Sequence, residues 1–232
     1  MKKRPLIVIR LFIISVLFIT LATSCKKDND DTETVTDIDG NVYNTVTIGT
    51  QVWMKENLRT TKFNDGQAIP LVTGGSQWTN LTTPAFCWQD NNESTYKNTY
   101  GALYNWWTVN TGKLCPEGWH VPSKTELSDL VSFLGGEDIA GGKLKEKGTS
   151  HWLTPNEGAT NSSGFSGLPG GWRYGQGGNF TPVGYEGDFW TSTVDNLPGE
   201  AAWYLFLQYD DDAAYIDTQY MRDGYSVRCI KD

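Results

Sequence analysis

Residues able to carry covalent or acid–base chemistry are few. The 232-residue sequence has two histidines, His120 and His151, and four cysteines, Cys25, Cys87, Cys115 and Cys229. Two separated histidines supply neither a histidine-based triad nor a histidine-rich metal site. No phosphate-binding loop, dinucleotide-binding glycine fingerprint or His-Glu-x-x-His segment is present. Gly175-Gln176-Gly177-Gly178 lacks the strand-then-helix setting that a phosphate cradle needs. No catalytic residue is assigned. Hard oxygen donors cluster at Asp210, Asp211 and Asp212, a weak calcium candidate, since adjacent aspartates at a hairpin tip are more often solvated turn residues. Aromatic residues are abundant, with ten Trp and eleven Tyr. Indole and phenol rings stack on the C–H faces of sugars, while Asn, Asp and Gln bond the hydroxyls. The candidate ligand-binding rings are Trp88, Trp172, Tyr174 and Trp190. Trp172 and Tyr174 lie between glycine turns and suit a surface, whereas Trp190 sits in a strand pattern that suits a core as well.

The first cysteine has its own context. Basic Met1-Lys2-Lys3-Arg4 precedes an apolar run from Leu11 to Ala22, which ends at Ala22-Thr23-Ser24-Cys25. This is the layout of a secretory signal peptide. The run is about 12 residues, whereas a membrane span needs ~20. Small residues followed by a cysteine resemble a bacterial lipobox, in which Cys25 becomes the lipidated first residue after residues 1–24 are removed. The expected location is therefore the outer membrane or cell surface, lipid-anchored and extracytoplasmic. Stable anchoring takes about two lipid signals, and a diacylglyceryl cysteine with an added acyl chain exceeds that. Residues 25–37 are acidic and polar, without apolar periodicity, and read as a flexible tether. They also resemble the surface-export signal of Bacteroidetes-type lipoproteins. Cleavage removes Lys2, Lys3, Arg4 and Arg10, moving the formal charge from −8 to about −12. Such a domain repels phosphate backbones, which argues against nucleic acid as a partner.

The elements that must position these residues follow from pattern. Val42 to Ile48 and Gln51 to Met54 read as a hairpin across Gly49-Thr50. Tyr100, Leu103, Tyr104 and Trp107 have helical spacing, which predicts a helix over Tyr100–Trp107. Ser123-Lys124-Thr125-Glu126 is a capping box opening a helix that Gly135-Gly136 stops. Asp138 to Glu146 forms a short third helix weakened by Gly141-Gly142. Beyond Lys147 come strand candidates at 188–194, 202–208, 213–217 and 225–230, with Tyr209 to Asp212 as a hairpin loop. Helices first and antiparallel strands afterwards argue for an α+β class: one domain over 38–232, with two or three helices, short twisted antiparallel strands and long loops.

Six ordered signatures then carry a resemblance. They are Val46 to Leu58, Thr99 to Trp106, Leu114 to Ser123, Gly164 to Gly171, Phe189 to Thr193, and Gly224 to Cys229. Together they closely resemble the Fibrobacter succinogenes major paralogous domain, a family abundant in surface lipoproteins. That family is similar in turn to the C-type-lectin-like fold and its formylglycine-generating-enzyme branch. The resemblance implies a single C-type-lectin-like domain. Thr154-Pro155-Asn156-Glu157 faintly echoes the cis-proline calcium motif of lectins, with its first acidic residue missing. In a lectin-like domain, a Cys115–Cys229 disulfide would staple the segment before the main helix to the last strand. A bridge using Cys87 and free thiols remain open alternatives. The expected function is a non-catalytic binding or adhesion module on the membrane surface, with a glycan or surface protein as partner. Two alternatives stand beside it. One is an architectural surface protein. The other is a formylglycine-generating-type enzyme, for which no matching cysteine pair is found.

Overall fold

The computed structural model describes residues 33–196 and 200–232. The leader, Cys25 and most of the expected tether lie outside the described residues. The folded unit begins earlier than expected. Thr34–Thr36 is a strand (β1) paired with Val42–Ile48 (β2), with Val35 opposite Tyr43. The end of the segment read as tether is thus part of a sheet. The reason is local: Asp37 is buried and takes hydrogen bonds from the amides of Asp39 and Asn41 and from the Tyr43 hydroxyl at 2.6 Å. That turn folds the polar strand back onto its neighbour.

The hairpin continues through Gln51–Met54 (β3), and the sheet is completed by two short strands from distant parts of the chain, Trp119–His120 (β6) and Ile230–Lys231 (β10). Its order is β1-β2-β3-β10-β6, antiparallel throughout, with Ile230 opposite both Trp53 and His120. Gly75–Thr79 (α1), Phe86–Cys87 (β4), Glu93–Tyr100 (α2), Leu103–Tyr104 (β5) and Trp106–Val109 (α3) fill the first half. Lys124–Phe133 (α4) and Glu137–Leu144 (α5) follow, and then a three-stranded antiparallel sheet of Glu186–Val194 (β7), Ala201–Gln208 (β8) and Tyr215–Tyr220 (β9). The class is α+β, with five α-helices among the described residues rather than two or three. Only α2, α4 and α5 reach eight residues.

Two predicted elements differ. The helix expected over Tyr100–Trp107 is instead the end of α2, a turn at Gly101, β5 and the start of α3. Gly101 has φ +76°, and a side chain there would meet the Leu58 carbonyl at 2.7 Å. The chain must leave the helix, and Ala102 donates its amide to Leu58 while Tyr104 exchanges bonds with Tyr225. The apolar spacing marks burial between neighbouring extended segments, not a helical face. The strand expected over 225–230 narrows to β10. Before it, Tyr225 and Ser226 make single bridges to Tyr104 and Phe189, so the segment threads between sheets. The α4 capping box is present as predicted: Ser123 Oγ accepts from the Glu126 amide, and the Glu126 carboxylate accepts from the Ser123 amide at 2.7 Å.

The core has two main layers. Tyr43, Met54, Leu58, Tyr104, Trp190 and Tyr225 pack in one. Trp53, Leu127, Leu130, Phe165, Phe189 and Leu205 pack in the other, under α4 and α5. A disulfide joins Cys115 to Cys229 across 114 residues, a loop whose closure is worth about 4–5 kcal/mol in the chain-entropy account. The long stretch from Lys145 to Tyr185 contains neither helix nor strand. Its carbonyls need donors that a sheet ladder would otherwise supply. Buried cations provide several. Lys145 Nζ donates to the carbonyls of Glu157 and Gln208 at 2.8 Å and of Asp211 at 2.5 Å. Burial lowers its pKa to about 8. Arg228 donates to the Phe165 carbonyl and to Asn57 Oδ1.

The glycines expected to weaken α5 have a packing reason. A Cβ on Gly141 would stand 1.9 Å from the Ala213 carbonyl oxygen, and one on Gly142 2.4 Å from that of Gly158. Gly141→Ala is expected to destabilise the protein by more than about 2 kcal/mol, because rigid backbone rather than a movable side chain must yield. Urea unfolding measures this; an unchanged midpoint would contradict the packing of α5 against the β8–β9 turn.

Candidate binding site

The three-stranded sheet has two unlike faces. Side chains alternate along a strand, so Phe189, Leu205, Leu207 and Ile216 turn toward the α4–α5 layer. Glu186, Asp188 and Trp190 on β7 turn the other way, with Tyr204, Phe206 and Gln208 on β8 and Tyr215 and Asp217 on β9. On this second face a series of rings runs from the sheet edge toward the core and out again. Tyr215 stacks on Phe206 at 4.8 Å, Phe206 on Tyr204 at 5.4 Å, and Tyr204 on Tyr225 at 4.9 Å. Tyr225 meets the edge of Trp172 at 5.7 Å, and Trp172 meets Tyr174 at 5.4 Å. Tyr204, Phe206, Tyr215 and Trp172 are half-buried; Tyr174 is 37% exposed.

Trp172 and Tyr174 are presented by a narrow loop. The Trp172 amide donates to Thr181 Oγ1 at 2.8 Å, the Thr181 amide to the Trp172 carbonyl, and the Tyr174 amide to Asn179. Between them Arg173 turns inward. Its guanidinium donates to the carbonyls of Val72, Thr73 and Gly178, and it lies over the rings of Trp78 and Phe180. An open groove of about 460 Å³ forms beside this loop, lined by Trp172, Thr181, Pro182, Tyr185 and Glu186. Glu186 accepts from Gln208 Nε2 at 3.0 Å and from Trp172 Nε1 at 3.3 Å.

Carboxyl groups lie behind the groove. Asp188 is 3% exposed and Asp223 fully buried, and Oδ2 of each has no hydrogen-bond partner among the described residues. Burial holds the Asp188 carboxyl well above the usual carboxylate range, and the charges of Glu186 and Asp223 push it further. Burial likewise raises Asp223 to about 7, outweighing the hydrogen bonds from the Gly175 amide and Tyr225 and the charge of Arg222. Burial also raises the phenols of Tyr204 and Tyr225, and the nearby Asp188 adds to both shifts. Rings, a groove and the Glu186 carboxylate therefore meet at one place, while the unpartnered oxygens of Asp188 and Asp223 stay buried. Such a site can stack on an apolar face and accept hydrogen bonds from a donor-rich ligand.

Of the sequence candidates, Trp172 and Tyr174 lie at this site. Trp190 and Trp88 do not present a face to solvent. Trp190 is fully buried, with Nε1 donating to the Tyr104 carbonyl at 2.8 Å, and Trp88 is 3% exposed, packed edge-on to Phe86. Both are corrected to core residues; aromatic type alone does not distinguish stacking on a ligand from stacking on the protein. The calcium candidate is corrected too. Asp211 accepts from the Tyr215 hydroxyl at 2.6 Å and from the Ala213 amide, and its carbonyl accepts from Lys145. An internal ammonium thus occupies the centre of this turn. Among the described residues, no group of three or more His, Cys, Asp or Glu is placed to hold a metal ion. Cys87 is buried, and burial pushes its thiol up to about 12, away from the thiolate a nucleophile needs. Sequence reasoning missed Glu186, Asp188, Tyr204, Phe206, Tyr185 and Asp223. The alternation of Glu186, Asp188 and Trp190 against Gly187 and Phe189 was the available signal for a polar-aromatic face.

A family model of the Fibrobacter succinogenes major domain matches residues 46–231. No curated protein and no solved structure matches the chain.

The buried acids give the site a measurable signature. Folded Asp223 holds its proton up to about pH 7, while an unfolded aspartate releases it near ~4. The folded state therefore binds more protons across that interval, and stability falls as pH rises through it. Asp223→Asn is expected to flatten part of this decline in urea unfolding series run between those limits. Equal slopes for the variant and the parent would contradict the assignment.

Proposed function

The chain belongs to the Fibrobacter succinogenes major domain family, and from that premise we propose that it is a non-catalytic binding module held at the cell surface by a lipid on Cys25. The ligand is a glycan, taken at the Trp172 groove and the open face of β7–β8–β9. The observation that carries this reading is the ring series from Tyr215 to Tyr174, which is covered at Tyr225 and partly exposed at its other members, with the Glu186 carboxylate beside Trp172. Rings whose only role was packing would be covered. Trp172 of this series lines an open groove together with Tyr185, and stacking on these two rings suits the C–H face of a sugar.

The domain is further proposed to be C-type-lectin-like. In support, its second half is loop-rich, and a disulfide ties the segment before α4 to the last strand. Enzyme chemistry of the formylglycine-generating type has little support: Cys115 and Cys229 are bridged and Cys87 is buried. The anchor reading rests on the leader and on Ala22-Thr23-Ser24-Cys25. Among the described residues no helix is long and apolar enough to cross a membrane.

Two measurements test this function. On a glycan array the full chain is expected to give specific hits that Trp172→Ala removes; uniform silence together with self-association in light scattering would favour an architectural role instead. Palmitate labelling is expected in the parent and absent in Cys25→Ala, with the variant lost from membrane fractions. Unchanged membrane partition of the variant would contradict the anchor.

A further inference from the structure

The groove at Trp172 has a one-sided polar character. Its lining offers the rings of Trp172 and Tyr185, the Pro182 ring, the Thr181 hydroxyl and the Glu186 carboxylate, and no basic residue. Two of its donors are engaged, and the hydroxyl of the exposed Tyr185 is a third that bonds no described residue. Trp172 Nε1 points at Glu186, and Thr181 Oγ1 bonds back to the Trp172 carbonyl. Arg173 is held by three carbonyls, and Arg222 by Glu200 at 2.7 Å. On the acceptor side, Glu186 is followed on the same strand face by Asp188, and Asp188 in turn senses Asp223. One oxygen of each buried acid is unpartnered. The groove itself thus offers one carboxylate and two π faces against a single open hydroxyl.

A neutral sugar both donates and accepts through its hydroxyls, and its accepting oxygens would find only the Tyr185 hydroxyl here. An ammonium donates in three directions, accepts nothing, and is attracted both to carboxylates and to aromatic faces. We propose that this groove selects saccharides bearing a free amine over their neutral, N-acetylated counterparts. The ammonium sits against Glu186 with the Trp172 and Tyr185 rings around it, and the sugar ring stacks on Trp172. Asp188 follows on the same strand face, and the charge the ammonium meets is that of Glu186. This deepens the binding-module reading and rests on it.

The test uses the full chain and two probes of equal length, the β-1,4-linked tetramer of glucosamine and that of N-acetylglucosamine, titrated by calorimetry near neutral pH. The amine form is expected to bind at least about tenfold more tightly, the ratio that ~1.4 kcal/mol produces. Trp172→Ala is expected to abolish its binding, and Glu186→Gln to reduce the preference to within about threefold. Gln keeps the size of Glu, so the packing around Trp172 should survive the change. Equal affinities for the two probes, with both lost in Trp172→Ala, would overturn the amine preference and leave the binding module standing. Amine binding that persists in Trp172→Ala would be diffuse attraction to an acidic protein and would overturn the proposal. Absence of binding to either probe, with a silent array, would overturn both.

Discussion

A single guanidinium, that of Arg173, ties the loop of Trp172 and Tyr174 to the body of the protein. It is 1% exposed, sits between Trp172 and Tyr174 in sequence, and donates to the carbonyls of Val72, Thr73 and Gly178. The rings of Trp78 and Phe180 flank it at 4.6 and 4.8 Å. Its own backbone exchanges two bonds with Gly224. With Arg173 turned inward, its two aromatic neighbours flank the groove side. A lysine could not replace this arrangement, because one ammonium lacks the planar fork that reaches three carbonyls while lying flat between two rings.

Lys145 and Arg228 repeat the device. Neither forms an ion pair among the described residues; each faces backbone carbonyls, with one amide oxygen in the case of Arg228. Burying a cation is costly unless its donors are satisfied. Here those donors satisfy loop carbonyls that no ladder reaches, so two unfavourable requirements cancel. This is how a stretch of some forty residues without helix or strand can sit against a core. Asp188 and Asp223 are the contrast. They are as deeply buried, yet each keeps an oxygen without a partner. Arg228 Nε is likewise without a partner among the described residues, so what sets the two acids apart is their raised pKa and not an unpartnered atom as such.

Much of the frame was legible in the sequence, and for identifiable reasons. The β2–β3 hairpin followed from alternation around a Gly-Thr turn, and α4 from a capping box whose bonds are local. Features set by distant chain were not legible. Gly101 breaks its helix because Leu58 passes close by, and the glycines of α5 admit Ala213 and Gly158. The tether ended sooner than composition suggested because Asp37 folds a polar strand back onto Tyr43. The glycine turns around Trp172 and Tyr174 marked a loop, and the structure has these two rings in one, half-buried and 37% exposed respectively. Trp190 was misjudged because its strand alternates between a polar-aromatic face and the core, and only the packing of Tyr204 and Tyr225 over it decides which. Asp223 gave no signal, since its burial depends on Gly175, far away in sequence.

Hydrogen–deuterium exchange of the full chain, with and without a saccharide that it retains, reads the location of binding without altering any residue. The account expects new protection confined to the loop carrying Trp172 and Tyr174, residues 181–188, and the β8–β9 strands beneath the ring series. Protection appearing instead at the α4 face or around the five-stranded sheet, with the Trp172 loop unchanged, would contradict it.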